Sequence, residues 1–220
     1  NQIPFVNIWP RPIQQPHPPV WIPGGGSVET FEWCAEMDYV YTYLSYFGYK
    51  AGLATMNDFW RKMAELGKDR NPYRAGFLQF VGVADSKEEA MKIYKEPAEY
   101  FYGRCLHVDP RYAMPPGYTT EETMRRKYQS QVAAVAKKGE EKITLSGLGT
   151  PAAMSIEYIE KEGYVILGSP DEVAEKLREV AINMNVGHLM LLMQYGNMSK
   201  DLTNYNTKLF AEKVMPQIKD

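Results

Sequence analysis

The sequence predicts an α/β fold built on a parallel sheet. Short apolar runs alternate with amphipathic stretches along most of the chain, as in residues 188–194 (HLMLLMQ) followed by residues 202–214. The runs are apolar on both faces, which marks strands covered on both sides rather than an antiparallel sheet wetted on one. Helix starts carry caps, clearest at Ser169, with Pro170 at the first helical position and Glu172 three residues after the cap. Four strand–helix units are visible, with strands beginning at Val20, Tyr39, Gly76 and His188. Four parallel units make half of an eight-stranded barrel, or a small open sheet of the flavodoxin type.

Taken in order, residues 3–9 are apolar and β-prone, and residues 10–19 hold five prolines. Proline fixes φ and removes a donor, so residues 1–19 form an extended arm rather than a helix or a central strand. Val20 to Ile22 is the first strand. Residues 29–37 read as a helix and residues 39–46, rich in Tyr, Val and Thr, as the next strand. Phe59, Trp60, Met63 and Leu66 recur at helical spacing within residues 56–66. Residues 76–83 (GFLQFVGV) form a strand, after which Asp85 and Ser86 cap a helix presenting Ala90, Ile93 and Tyr94, with Glu89 placed for a capping box. Residues 105–166 break the rhythm with a proline-rich patch (Met114 to Gly117), a polar helix from Thr119 to about Lys138 and a glycine-rich stretch near Ser146. An excursion that long is expected to be a lid or otherwise functional. The rhythm returns at Gly168, with Val173, Leu177 and Val180 on a buried helix face, then the 188–194 strand and a closing helix ended by Pro216.

Composition narrows the function classes. The 220 residues suffice for one or two domains with a real core. A formal net charge of −2 and the lack of a long basic run give no sign of a nucleic-acid partner. No apolar run approaches the ~20 residues of a spanning helix, and no signal peptide is visible, so no membrane partner is expected. Two cysteines, Cys34 and Cys105, make no disulfide scaffold, which points to a reduced, cytoplasmic protein. The chain opens on NQIPFVNIWP without an initiating Met, as a fragment or processed product would.

The densest chemical signal is residues 18–35, PPVWIPGGGSVETFEWCA. A strand runs through three glycines into a helix. Glycine lets backbone approach an oxyanion, the first helical N–H groups lack internal partners, and the helix dipole favours negative charge there. Ser27 and Thr30, three apart, place both hydroxyls at that helix mouth. The same residues also read as a flexible turn with Ser27 as an ordinary N-cap. There is neither a GxGxxG nor a GxxxxGK[ST] pattern, so dinucleotide and P-loop sites are set aside.

Three segments together resemble the bacterial-luciferase-like flavin monooxygenases: residues 10–36 (PRPIQQPHPPVWIPGGGSVETFEWCAE), residues 163–177 (GYVILGSPDEVAEKL) and residues 193–216 (MQYGNMSKDLTNYNTKLFAEKVMP). The resemblance covers most of the chain and is weakest over residues 111–158. It implies that the whole of residues 1–220 is the second half of a (β/α)8 TIM-type barrel, strands five to eight, with the long excursion before the last unit. It implies an enzyme that uses reduced FMN, supplied by a flavin reductase, and molecular oxygen to oxidise a small organic substrate. By the same resemblance Ser27 and Thr30 hold the flavin phosphate, with Gly25 and Gly26 as close-approach backbone. The glycine before Ser27 departs from members that carry a side chain there. The family's catalytic histidine and its arginine phosphate ligand have no match here, so the catalytic residues are unknown and are expected outside this chain. Two alternatives stand beside this one: a deazaflavin-dependent oxidoreductase on the same barrel, and a non-catalytic half-barrel that serves binding or assembly.

The remaining candidates are fewer. Tyr46 and Gln194 stand at the C-terminal ends of their strands, the level at which barrel sites open, and are candidates for a substrate pocket; Tyr195 and Gly196 share that level. His188, at the N-terminal end of its strand, reads as packing, and His107 has no visible base-like partner. No cluster has metal-ligand spacing, so no metal is expected. Twelve methionines read as adaptable core, and Arg125, Arg126 and Lys127 as a solvated helix face. Four strands cannot close a barrel, so the Val20 and His188 strands should be open edges, covered by a missing N-terminal half-barrel or a second copy of the chain.

Overall fold

A computed structural model of the chain describes residues 9–44, 46–105 and 154–218, together with Thr120, Glu121 and Arg125. Its sheet is wholly parallel. Strand β1 (Trp21–Gly24) pairs with β2 (Val40–Tyr43), β2 with the first third of β3 (Ala75–Val83), and β5 (His188–Leu192) with residues 76–80 of β3. The last four residues of β3 pair with a short strand, β4 (Val165–Gly168). Each β3 residue has two lateral neighbours, so β2 and β4 lie end to end on one side of β3 and β5 lies on the other.

Helices α1 (Val28–Met37), α2 (Gly48–Glu65) and α6 (Pro170–Met184) pack on one face of this sheet, together with the closing helical segment. That segment runs as α7 (Lys200–Leu209), a π-helical turn (Phe210–Val214) and α8 (Met215–Ile218). Their shared core joins Phe31, Tyr41, Phe59, Phe77, Val81, Leu177 and Val214. The alternation of β3 explains the division. Phe77, Val81 and Val83 point at these helices, whereas Leu78 and Phe80 point at the opposite face. A second core forms over the C-terminal half of β3 and β4. It gathers α3 (Lys87–Ile93), α4 (Lys95–Tyr100), a π-helical turn (Phe101–Cys105) and α5 (Ile156–Lys161) around Phe80, Tyr94, Tyr102, Ile159 and Tyr195.

The sheet curls toward its uncovered face. Trp21 of β1 and His188 of β5 bring their rings to 4.5 Å between centroids. Their strands stand three spacings apart, roughly 14 Å in a flat sheet with side chains perpendicular to it, so only a curved sheet allows the contact. Curvature with the helices outside makes this a half-barrel. Strand β5 is half-buried along its whole length and Trp21 is 40 % exposed.

Most of the predicted elements are present. Ser169 forms a reciprocal capping box with Glu172, and Ser86 accepts from the Glu89 N–H. Four differences have physical causes. Strand β2 ends at Tyr43 rather than Tyr46, because β3 leaves it there to pair with β4. Helix α2 begins at Gly48, since a left-handed glycine allows the sharp entry that the hydrophobic periodicity cannot register. The closing helix runs through Pro216 to Ile218; the π-helical turn just before it shifts the ladder, and the Gln217 side chain donates to the Lys213 carbonyl. Among the described residues the sheet has five strands, not four. Helix α5 falls inside the 105–166 excursion and strand β4 straddles its end, where VILG is too short to show a period. The proline patch, the polar helix body and His107 lie outside the described residues.

Candidate anion cradle and barrel mouth

The turn between β1 and α1 is built from what each glycine permits. Gly26 sits at φ +95°, and a Cβ there would meet Thr55 Cγ2 of α2 at 2.7 Å. A Cβ on Gly24 would meet Tyr41 Cε2 at 2.7 Å, and the Tyr41 hydroxyl donates to the Gly24 carbonyl at 3.1 Å. Tyr41 is itself stacked on Phe59 with ring centroids 5.0 Å apart and is edge-on to Phe31 at 4.9 Å. The corner is thus pressed against a rigid aromatic block. Gly25 is different, with no atom within 4 Å of where its Cβ would stand. Its backbone faces open space.

Ser27 occupies the N-cap position of α1 in extended geometry, yet its side chain does not cap the helix. Its Oγ lies 2.7 Å from Thr30 Oγ1 instead. The two hydroxyls therefore form a pair at the mouth of a ten-residue helix that the Ser27 side chain does not cap. Hydroxyls beside a helix N-terminus are the kind of donor that can hold an oxyanion, and the Cβ position of Gly25 is open. Glu29 in the same turn is exposed, and its carboxylate accepts from the Thr120 hydroxyl. The structure thus brings Gly25, Gly26, Ser27 and Thr30 into one cradle.

Tyr46 stands at the mouth of the half-barrel, one strand over. It is 39 % exposed, with its ring 5.8 Å from Phe101 and 6.3 Å from Phe80. Phe101 lies 4.9 Å from Phe80. Tyr102, buried in the same π-helical turn, donates its hydroxyl to the Tyr46 carbonyl at 2.6 Å. Burial pushes the Tyr102 phenol well above the ordinary tyrosine range, so it stays a donor throughout the physiological pH range. Gln194 is exposed just past β5, and Tyr195 beside it is buried, with its hydroxyl lacking a hydrogen-bond partner. The sequence reading missed Phe80, Phe101 and Tyr102, although the EYFYG run was visible as an aromatic patch ahead of the excursion.

His188 sits between the rings of Trp21, at 4.5 Å, and Tyr73, at 5.3 Å, which is a packing role at the floor of the half-barrel. Cys34 is buried against the α1–α2 core, and desolvation pushes its thiol up to about 11, far from a nucleophile. Among the described residues no helix is long and apolar enough to cross a membrane, and no group of three His, Cys, Asp or Glu side chains is placed to hold a metal ion.

Comparison with known proteins fits this geometry. No curated protein matches the chain. The oxygenating constituent of 3,6-diketocamphane monooxygenase from Pseudomonas putida, a type II Baeyer-Villiger enzyme solved with FMN, superposes with a TM-score of 0.60 at 17 % identity. That match covers 92 % of this chain and 49 % of the other. A monooxygenase from Streptomyces bottropensis gives a TM-score of 0.57 at 15 % identity, over 94 % of this chain and 50 % of the other. The coenzyme F420 dependent tetrahydromethanopterin reductase of Methanopyrus kandleri gives 0.52 at 14 % identity, over 91 % and 51 %. The chain thus spans about half the length of these solved structures, and at these identities the likeness shows the fold. The family model of luciferase-like monooxygenases matches residues 3–184. The chain belongs to the luciferase-like monooxygenase family.

Proposed function

We propose that this chain forms the phosphate-anchoring half of a flavin-dependent oxidoreductase site, with FMN as the cofactor and a small organic compound as substrate. The observation that carries this reading is the Ser27–Thr30 hydroxyl pair at a helix mouth that Ser27 does not cap, two residues after a Gly25 with open space at its Cβ position. A reduced flavin, when bound, supplies the oxygen- or hydride-transfer chemistry. The chain's own work is to bind the phosphate, to orient the ring system over the strand ends and to exclude water with the aromatic cover around Tyr46. A deazaflavin fits the same cradle, because its phosphodiester offers the same oxyanion, and the similarity to an F420 dependent reductase favours keeping it as the second reading.

Removal of both hydroxyls, Ser27→Ala with Thr30→Ala, is expected to weaken FMN binding by about 2–4 kcal/mol, two hydrogen bonds to a charged group at ~1–2 kcal/mol each. Riboflavin, which lacks the phosphate, should bind wild type and variant alike. Equal FMN affinity in the two proteins removes the cradle from the site.

The same reading calls for a partner over the open part of the sheet. Trp21, Leu44, Leu78, Met190 and Leu192 leave a partly exposed apolar surface on it. A complementary half-barrel of four parallel strands would pair with β1 and β5 and bury that surface. Sedimentation with a dye-binding assay checks this: alone, the chain should self-associate and bind an apolar dye. A stable monomer at micromolar concentration that leaves the dye dark contradicts the need for a partner.

A further inference from the structure

We propose that the mouth of the half-barrel binds the uncharged, ring-bearing part of a substrate, on a wall made by Tyr46 and Phe101 over Phe80. This rests on the reading of the strands' C-terminal ends as the reaction site, and it narrows the substrate from any small organic molecule to a neutral cyclic or aromatic one.

Position comes first. Phe80 lies on the face of β3 opposite α1, α2 and α6, in register with Leu192 of β5 and Val165 of β4. It is 2 % exposed because four rings close over it: Phe101 at 4.9 Å, Tyr195 at 5.5 Å, and Tyr46 and Tyr102 at 6.3 Å each. Tyr195 and Tyr102 are buried, so the outward surface of this cluster belongs to Tyr46 and Phe101. The Tyr46 loop follows β2 and the anion cradle follows β1, so wall and cradle open at the same end of adjacent strands.

The chemistry is one-sided. Phe80 and the four rings that close over it are all phenyl or phenol groups. An ionised group brought against such a surface loses hydration, whereas a flat apolar ring gains area and ring–ring contact. The wall is also fixed in place. The Tyr102 hydroxyl holds the Tyr46 carbonyl, and the π-helical turn places Phe101 and Tyr102 edge to face at 5.2 Å. A preset surface loses little freedom when a ring docks on it.

Two probes with one ring system test this: neutral 2-acetylnaphthalene and anionic 2-naphthoate, observed by saturation-transfer NMR, with inorganic sulfate present to fill the cradle. The neutral probe should bind at least about ten-fold tighter. Phe101→Ala or Tyr46→Ala should weaken it by about 5–10-fold. Tyr46 is partly exposed in a loop, so its variant should keep the fold. Trp21→Ala, which removes an apolar ring from the floor of the same face, should change the affinity less than two-fold. Equal affinity for the two probes overturns the wall, as does an equal loss in Trp21→Ala, which would mark unspecific apolar adhesion. FMN is titrated separately. If it fails to bind while the probe preference holds, the flavin reading falls and the wall stands; if FMN binds and the probes are not distinguished, the reverse follows.

Discussion

Asn206→Ala is expected to cost about 3–5 kcal/mol, one of the two largest single-residue effects in this chain. Asn206 is fully buried on α7, and its amide serves three backbone groups of the sheet. Its Nδ2 donates to the carbonyls of Val81 and Met193, each at 2.9 Å, and its Oδ1 accepts from the Val83 N–H at 2.9 Å. Val81 and Val83 belong to β3 just where β5 has ended and β3 continues alone with β4. The amide therefore stands in for a missing strand. Truncation leaves three buried groups unpaired at ~1–3 kcal/mol each, less whatever water recovers. Asn206→Asp should be no better, because a carboxylate cannot donate to two carbonyls and would be a charge without a partner. Denaturant titration measures the loss, and amide exchange at Val83 localises it. A loss below about 1 kcal/mol with Val83 protection unchanged would mean the three bonds contribute nothing to stability.

Asn206 also marks where sequence reading stopped. The helical period around it was legible, because Leu202, Leu209, Phe210 and Val214 recur at helical spacing, but an Asn between them looks like any surface polar residue. Only the end of β5 at Leu192 creates the demand it meets, and that demand is a tertiary fact. The same holds for Gln79, which reads as the polar member of an apolar strand and is in fact fully buried, donating to the Tyr164 carbonyl at 3.0 Å. By contrast, β1, β3, α6 and the Ser169 box were legible because their signals are local: a period, a cap, a proline at the first turn. The candidate site divides in the same way. The cradle lies within ten consecutive residues, so its chemistry was readable from GGGSVET. The aromatic wall draws on Tyr46, Phe80 and Phe101, which the sheet brings together across more than fifty residues, and only Tyr46 had a positional reason to be named.

Gly48→Ala is expected to be the other severe substitution, and its size follows from two separable causes. Gly48 opens α2 at φ +65°, which L side chains rarely adopt. A Cβ there would stand 1.9 Å from the Gly163 carbonyl oxygen and 2.7 Å from Tyr164 Cα. Both are backbone atoms, so no rotamer change relieves the clash. Gly163 has the mirror problem: at φ +76°, its own Cβ would meet the Tyr49 ring at 2.6 Å. The two glycines let α2 abut the turn that leads into β4, where Lys50 also donates to the Lys161 carbonyl. The strained backbone costs ~1–2 kcal/mol and forced separation of the two segments ~1–3 kcal/mol, together about 2–5 kcal/mol. That is a large share of the 5–15 kcal/mol typical of a folded domain, taken from the contact between α2 and the turn that leads into β4. Gly67→Ala isolates the first cause. It has φ +70° but nothing within 4 Å of its Cβ, so it should lose only about 1–2 kcal/mol. Thermal and urea unfolding of the two variants side by side give the difference. Equal losses at Gly48 and Gly67 would mean that the close approach of α2 to the β4 turn costs nothing to disturb.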